Sequence, residues 1–239
     1  MKDKIIRILS TRPLDKAFAD KALEQNIIID SISFIRTEEI VDANTSDRIK
    51  KLSTKPTTVV FTSMNGVEAV AKNLIESNLK PAWKIYCIGA ATQDLITSYF
   101  PSNKVIGTGR NAAKLSQAII SDKAGEVVFF CGDQRRDELP ALLRGSRITV
   151  EEIVVYKTNE VPVKVARKYN GILFFSPSAV KSFFSLNSIP PATVLFSIGN
   201  TTADAIKSVC ENEVIISDFP SKEKLVEIAI QHFLNEGIT

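Results

Sequence analysis

A chain of 239 residues, 44% hydrophobic and 24% charged with ten glycines and ten prolines, has the composition of a globular protein and length for two domains. Its formal charge of +3 comes with Lys and Arg interleaved among acids, which argues against a phosphate-backbone binder, so nucleic acid is not an expected partner. Three cysteines without CxxC spacing, Cys87, Cys131 and Cys210, indicate neither a disulfide framework nor a zinc site and are expected to be buried spectator thiols.

The opening stretch "MKDKIIRILSTRPLD" has an apolar patch interrupted by Arg7, too short and too polar for a signal peptide or a membrane span. A cytoplasmic protein with no membrane partner is expected. Apolar runs of strand length follow near 4–9, 27–35, 57–62, 84–88, 104–106, 126–131, 148–157, 171–175, 193–198 and 213–217, with helical patterns between most of them. That alternation predicts parallel α/β sheets. It breaks around 36–55, "RTEEIVDANTSDRIKKLSTK", a polar stretch that reads as a crossing between domains. At the far end "KEKLVEIAIQHF" predicts an amphipathic helix, with His232 on its solvated face near the C-terminus rather than in a catalytic role.

Two internal correspondences sharpen the architecture. Ile88-Gly89-Ala90-Ala91-Thr92 matches Ile198-Gly199-Asn200-Thr201-Thr202, and at the same spacing Val105 matches Ile215 and Leu115 matches Leu225. A second spacing pairs "IIIDSISFIRT" at 27–37 with "ITVEEIVVYKT" at 148–158. Together they predict one domain from 1–35 plus 158–239, a second from 42–150 that is its circular permutation, and linker strands at 36–41 and 151–157. Each copy holds five strands, for which a doubly wound sheet of flavodoxin type is the common solution. Ligands of open α/β sheets bind at strand carboxyl ends, so two such domains facing each other are expected to form a cleft.

The stretch "VVFTSMNGVEAV" at 59–70, nearly repeated as "ILFFSPSAVKSF" at 172–183, places a polar turn at such a carboxyl end in each domain. Other strands end in Ser10-Thr11-Arg12-Pro13, in the two Gly-led turns above, in Gly107-Thr108-Gly109-Arg110-Asn111, in Gly132-Asp133 and in Ser217-Asp218-Phe219-Pro220-Ser221. Any one of these turns is explained by helix capping alone. The whole collection, with several Gly-lined helix N-termini on one side, suits a ligand rich in carboxylates or phosphates, held by backbone amides and hydroxyls. No GxGxxG, Walker loop, GxSxG elbow or metal-spaced His/Cys/Asp set occurs in the chain.

The ordered set "FTSMNGV", "IGAAT", "GTGRNAAKL", "VEEIVVYKT", "FFSPSAV" and "IGNTTADAI" resembles the uroporphyrinogen-III synthase family over nearly the whole chain. The resemblance implies two flavodoxin-like, doubly wound parallel-sheet domains joined by a two-stranded linker, in a cofactor-free cytoplasmic lyase of tetrapyrrole biosynthesis. Its implied substrate is hydroxymethylbilane, a linear tetrapyrrole with eight carboxylates, which the family closes to uroporphyrinogen III while inverting ring D. That substrate loses its hydroxyl readily to give an azafulvene and cyclises unaided to the wrong isomer. Positioning and fixed dipoles therefore carry most of the task, with one proton donor assisting.

Tyr156, in "VVYKT", resembles the family's hinge tyrosine and is the candidate donor, although its repeat counterpart Ile35 shows that the position also accepts an apolar residue. Thr92 and Thr202 match the family's paired threonines, and Ser63, Ser176 and Ser178 its substrate-lining serines. Arg12, Asn65 and Thr201 are further candidates for holding substrate carboxylates. Two complete domains need no partner to form a cleft, so a monomer is expected. The alternatives from other classes are a cofactor-free bilobal binding protein for a polyanionic small molecule, and a regulatory relic of the synthase.

Overall fold

The computed structural model describes residues 5–236. In chain order its elements are β1 (Ile6–Ser10), α1 (Lys16–Leu23), β2 (Ile27–Ser31), β3 (Ile35–Glu39), α2 (Ala43–Ser53), β4 (Thr57–Phe61), α3 (Met64–Glu76) and β5 (Trp83–Ile88). There follow α4 (Ala90–Tyr99), β6 (Lys104–Gly109), α5 (Ala112–Ser121), β7 (Glu126–Gly132), α6 (Glu138–Gly145) and β8 (Thr149–Glu160). The chain ends with β9 (Gly171–Phe174), α7 (Pro177–Phe184), β10 (Val194–Ser197), α8 (Asn200–Lys207), β11 (Val214–Ile216) and α9 (Lys222–Glu236). Contacts divide it into two compact units, Met1–Arg36 with Asn159–Thr239, and Thr37–Thr158.

The strand sequences explain why both units are sandwiches of helices around a sheet. Runs such as Val59-Val60-Phe61 and Val127 to Cys131 are apolar at every position, and a strand of that kind must be covered on both faces. In the 37–158 unit Val59, Phe61, Val128 and Phe130 pack against α2 and α3, while Val60, Phe129 and Cys131 pack on the opposite face against α5 and α6. The other unit repeats the division. Ile8, Leu173 and Phe196 meet α1 and α9, whereas Leu9, Ile172 and Leu195 meet α7 and α8.

Sheet order follows from these doubly covered strands. The discontinuous unit has the order β11-β10-β9-β1-β2 with parallel pairings throughout, which in chain order reads 2-1-3-4-5, the flavodoxin order. The other sheet runs β3-β8-β7-β4-β5-β6. Its parallel strands β8-β7-β4-β5-β6 give the same 2-1-3-4-5 once counting starts at β7. The chain is therefore α/β with two flavodoxin-like sheets, and it passes from one unit to the other along β3 and returns along β8. Ile40 N–H donates to the Val155 carbonyl and Val161 N–H to Phe34, so β3 lies antiparallel to β8.

Two expectations change. The apolar run at 27–35 forms two strands rather than one: β2 stays paired with β1 as far as Ser31, after which Phe34 turns into the core against Phe183 and releases β3 to the second sheet. His232 does not sit on the solvated face of α9. Its half-buried imidazole lies edge-on to Phe196 at 5.5 Å, because the apolar stripe of α9 that packs on the sheet extends to Phe233. Cys87 and Cys131 are buried and Cys210 half-buried, all as free thiols, and burial pushes the first two up to about 11.

Candidate functional site

In a sheet of order 2-1-3-4-5 the helices on either side of the boundary between the first and third strands diverge, and the carboxyl ends there are open to a ligand. In the 37–158 unit that boundary lies between β7 and β4, and in the other unit between β1 and β9. The sequence candidates gather at these two edges.

At the β7–β4 edge, Ser63 is the N-cap of α3 in extended conformation, and its Oγ accepts from the Gly66 N–H at 3.2 Å. The same hydroxyl donates to the Tyr156 phenol oxygen at 3.0 Å. Tyr156 stands on β8 opposite Gly132, just past a register irregularity after Cys131. A Cβ at Gly132 would come within 2.5 Å of the phenol ring, so the ring occupies the space left by the missing side chain. Burial raises the phenol pKa above its ordinary value, and the Ser63 hydrogen bond opposes that rise by favouring phenolate. A phenol is neutral at physiological pH already at its ordinary value of about 10, and the raised pKa keeps it so, with its oxygen accepting from Ser63.

Next along the same edge, Gly89 caps α4 at φ 86° without a side-chain hydrogen bond. Only a residue without Cβ adopts that left-handed geometry cheaply, and the first amides of α4 receive nothing from a cap side chain. Thr92 is buried in the first turn of α4, while Asn65 is half-buried in the first turn of α3.

The β1–β9 edge of the other unit is built in the same manner. Ser176 caps α7 by accepting from Ala179 N–H at 3.2 Å, and Pro177 begins the helix with its φ already set. Ser178 is half-buried in that turn. Ser10 Oγ donates to the Arg12 carbonyl at 2.6 Å, a turn that brings the guanidinium 5.5 Å above the Phe175 ring. The exposed Arg12 charge thus stands beside the α7 N-terminus. One strand further, Ser197 Oγ closes the same kind of turn onto the Gly199 carbonyl at 2.7 Å, and Gly199 caps α8 with no side-chain bond. Thr201 is exposed on α8 and Thr202 is buried, its N–H donating to the Gly199 carbonyl.

Arg12, Ser176, Ser178, Thr201 and Thr202 therefore share one sheet edge, and Ser63, Asn65, Thr92 and Tyr156 share the other, with Ser63 and Tyr156 in direct contact. Chemically, each edge offers helix amides and hydroxyls suited to carboxylates, and one of them adds the Tyr156 phenol. A cavity of about 350 Å³ lies elsewhere, at the amino edge of β9 and β10. Among its lining residues Asn187 holds three backbone groups and Thr193 Oγ1 donates to the Tyr169 carbonyl. Among the described residues no helix is long and apolar enough to cross a membrane, and no group of three or more His, Cys, Asp or Glu is arranged to hold a metal.

The family model of uroporphyrinogen-III synthase HemD matches residues 16–227. The chain belongs to this family. A uroporphyrinogen-III synthase of Saccharomyces cerevisiae is 27% identical, over 71% of this chain and 74% of the yeast protein. Among solved structures, a mutant uroporphyrinogen III synthase from Thermus thermophilus superposes with a TM-score of 0.65, at 14% identity and covering 96% of this chain and 98% of that one. The Helicobacter pylori enzyme gives 0.64 at 16% identity, over 95% and 99%. These likenesses share the two-domain α/β fold. Uroporphyrinogen-III synthases are enzymes of tetrapyrrole biosynthesis, and membership implies a small tetrapyrrole as substrate.

Sequence reasoning gave no role to Gly132 or Phe175. Gly132 was visible only as a strand-end turn, and its purpose emerges when Tyr156 is found facing it. Phe175 directly precedes the Ser176 cap, a position from which its ring supports Arg12.

Proposed function

We propose that this chain closes hydroxymethylbilane to uroporphyrinogen III with loss of water and inversion of ring D, acting as a cyclising hydro-lyase. The observation that carries the reading is the Tyr156 phenol at a sheet carboxyl edge, neutral at physiological pH as any tyrosine is and accepting a hydrogen bond from Ser63. Its proton passes to the departing hydroxyl as the C–O bond breaks, so that water leaves and the azafulvene forms. Attack through a spiro intermediate then inverts ring D, and a carbon-bound proton lost on rearomatisation restores the phenol. General acid assistance of this kind supplies about a hundredfold or more.

The remaining demand is geometric. An octacarboxylate is matched by the amides at the starts of α4 and α8, by the turns at Ser176 and Ser178, by Asn65, Thr92, Thr201 and Thr202, and by Arg12. Interactions of this type hold the chain ends of a flexible substrate in reacting geometry, which is worth several kcal/mol of barrier by general estimates, on the order of 7 or more. On this reading the enzyme is monomeric and cytoplasmic, needs no resident cofactor and has no nucleic-acid partner.

Purified protein mixed with freshly generated hydroxymethylbilane tests the proposal, with products oxidised and the uroporphyrin isomers separated by chromatography. Predominance of isomer III is expected. Isomer I alone at the uncatalysed rate would overturn it and leave a polyanion-binding protein.

A further inference from the structure

Ser63 carries the family's serine motif, and its neighbours at the β7–β4 edge give that hydroxyl a different occupation from holding substrate. Its oxygen takes the Gly66 N–H at 3.2 Å and its proton goes to the Tyr156 oxygen at 3.0 Å. The two bonds form one directed chain, from the first-turn amide of α3 through the serine to the phenol, in which each donor polarises the next. A hydroxyl has a single proton, so the one on Ser63 is committed within the protein.

We propose that Ser63 is a positioning residue for Tyr156: by donating to the phenol oxygen it turns the phenol's own proton outward and supports the negative charge that develops as that proton leaves. This rests on the reading of Tyr156 as proton donor. A tyrosine oxygen that accepts one hydrogen bond keeps its O–H for another partner. Without Ser63 the phenol is free to rotate that O–H toward any nearby acceptor. The macrodipole of α3, whose positive end is at Ser63, acts in the same sense on a developing phenolate. Gly132 completes the arrangement by giving the ring a fixed seat, since any Cβ there would strike it. Burial raises the phenol pKa and the serine bond lowers it, which agrees with a donor that keeps its proton at neutral pH and is still supported when it gives it up.

Helix capping is the competing role, and substitutions separate the two. Gly is a good N-cap with no donor, so Ser63→Gly keeps the start of α3 while deleting the bond to Tyr156. Ser63→Thr retains a hydroxyl in the same place and keeps both. With hydroxymethylbilane as substrate, Ser63→Gly is expected to lower kcat about tenfold with KM within about twofold, the loss of one charge-supporting hydrogen bond. Ser63→Thr is expected to return kcat to within a few-fold of the parent. Independently of turnover, ¹³C NMR of Cζ-labelled tyrosine, with Tyr156 assigned through Tyr156→Phe, should show the phenol titrating at higher pH in Ser63→Gly than in the parent or Ser63→Thr.

Parent-like kcat in Ser63→Gly, or an unmoved Tyr156 titration, would overturn the positioning role while leaving the synthase reading intact. A failure of Ser63→Thr to recover kcat while Ser63→Gly is impaired would also overturn it. A parent protein that yields only isomer I would overturn the synthase reading and this inference together.

Discussion

Gly132 matters for the atom it lacks. The phenol of Tyr156 lies where a Cβ would stand, 2.5 Å from the nearest ring carbons, so even alanine has to displace the ring. Gly132→Ala is expected to reduce turnover on the order of a hundredfold, the cost typical of a roughly 1 Å misplacement, with a parent-like isomer-III rate contradicting the assignment. Tyr156→Phe removes the proton and keeps the ring, so kcat should fall about a hundredfold, and the thermal midpoint should move only a few degrees, as expected of one half-buried hydrogen bond. Ser63 and Tyr156 were both legible in the sequence as members of family motifs. Their contact was not, because the residues are far apart in the chain and meet only through the order β8-β7-β4. Thr92 and Thr202 were legible as a matched pair, yet their burial, in contrast to the exposed Thr201, depends on how α4 and α8 seat on their sheets.

At the scale of elements, each strand–turn–helix joint rests on chemistry that is written locally. Apolar runs made the strands, Ser63 and Ser176 made the extended N-caps, and Gly89 and Gly199 made the caps without side chains. The break between β2 and β3 was not written locally, since nothing in "IIIDSISFI" marks the point at which Phe34 leaves the sheet for the core. The same applies to His232, whose ring environment is set by Phe196 on another element. Away from the substrate edges, Asn187 straps the segment before β9 to the end of α7. It accepts from Val165 N–H and donates to the Val163 and Phe183 carbonyls, each at 2.8 Å, and is 8% exposed. Asn187→Ala should therefore cost about 2–4 kcal/mol of unfolding free energy in urea titrations, while kcat of the remaining folded protein stays near that of the parent.

The whole molecule uses one strand order twice, entered at different points of the chain, and this places a carboxyl-edge opening in each unit. We read that economy as a permuted duplication, with one such opening in each unit. If charge holds the substrate, KM for hydroxymethylbilane should rise as salt increases from about 0.01 M to about 0.5 M and the screening length shrinks from about 30 Å to a few Å. A salt-independent KM would argue for recognition by shape alone. At high pH the fold itself should weaken through Tyr169. Burial, followed by its hydrogen bond to Asp30, raises this phenol to about 12, above the value of about 10 expected when unfolded. The folded state then holds a proton that the unfolded state releases, so the contribution is complete below about pH 10 and is lost as pH rises toward 12. Urea midpoints should decline across that window, and less steeply in Tyr169→Phe.

The proposed function has a phenol at a sheet edge, with fixed dipoles around it, direct a reaction that otherwise runs to the wrong isomer. Its most direct test is the ratio of isomer III to isomer I formed from fresh hydroxymethylbilane by the parent and by Tyr156→Phe, side by side at equal protein concentration. The parent should give mainly isomer III, and the variant should shift toward isomer I as slowed catalysis lets spontaneous closure compete. A variant indistinguishable from a fully active parent would remove Tyr156 from the chemistry, and a parent that forms isomer I alone would overturn the proposed function.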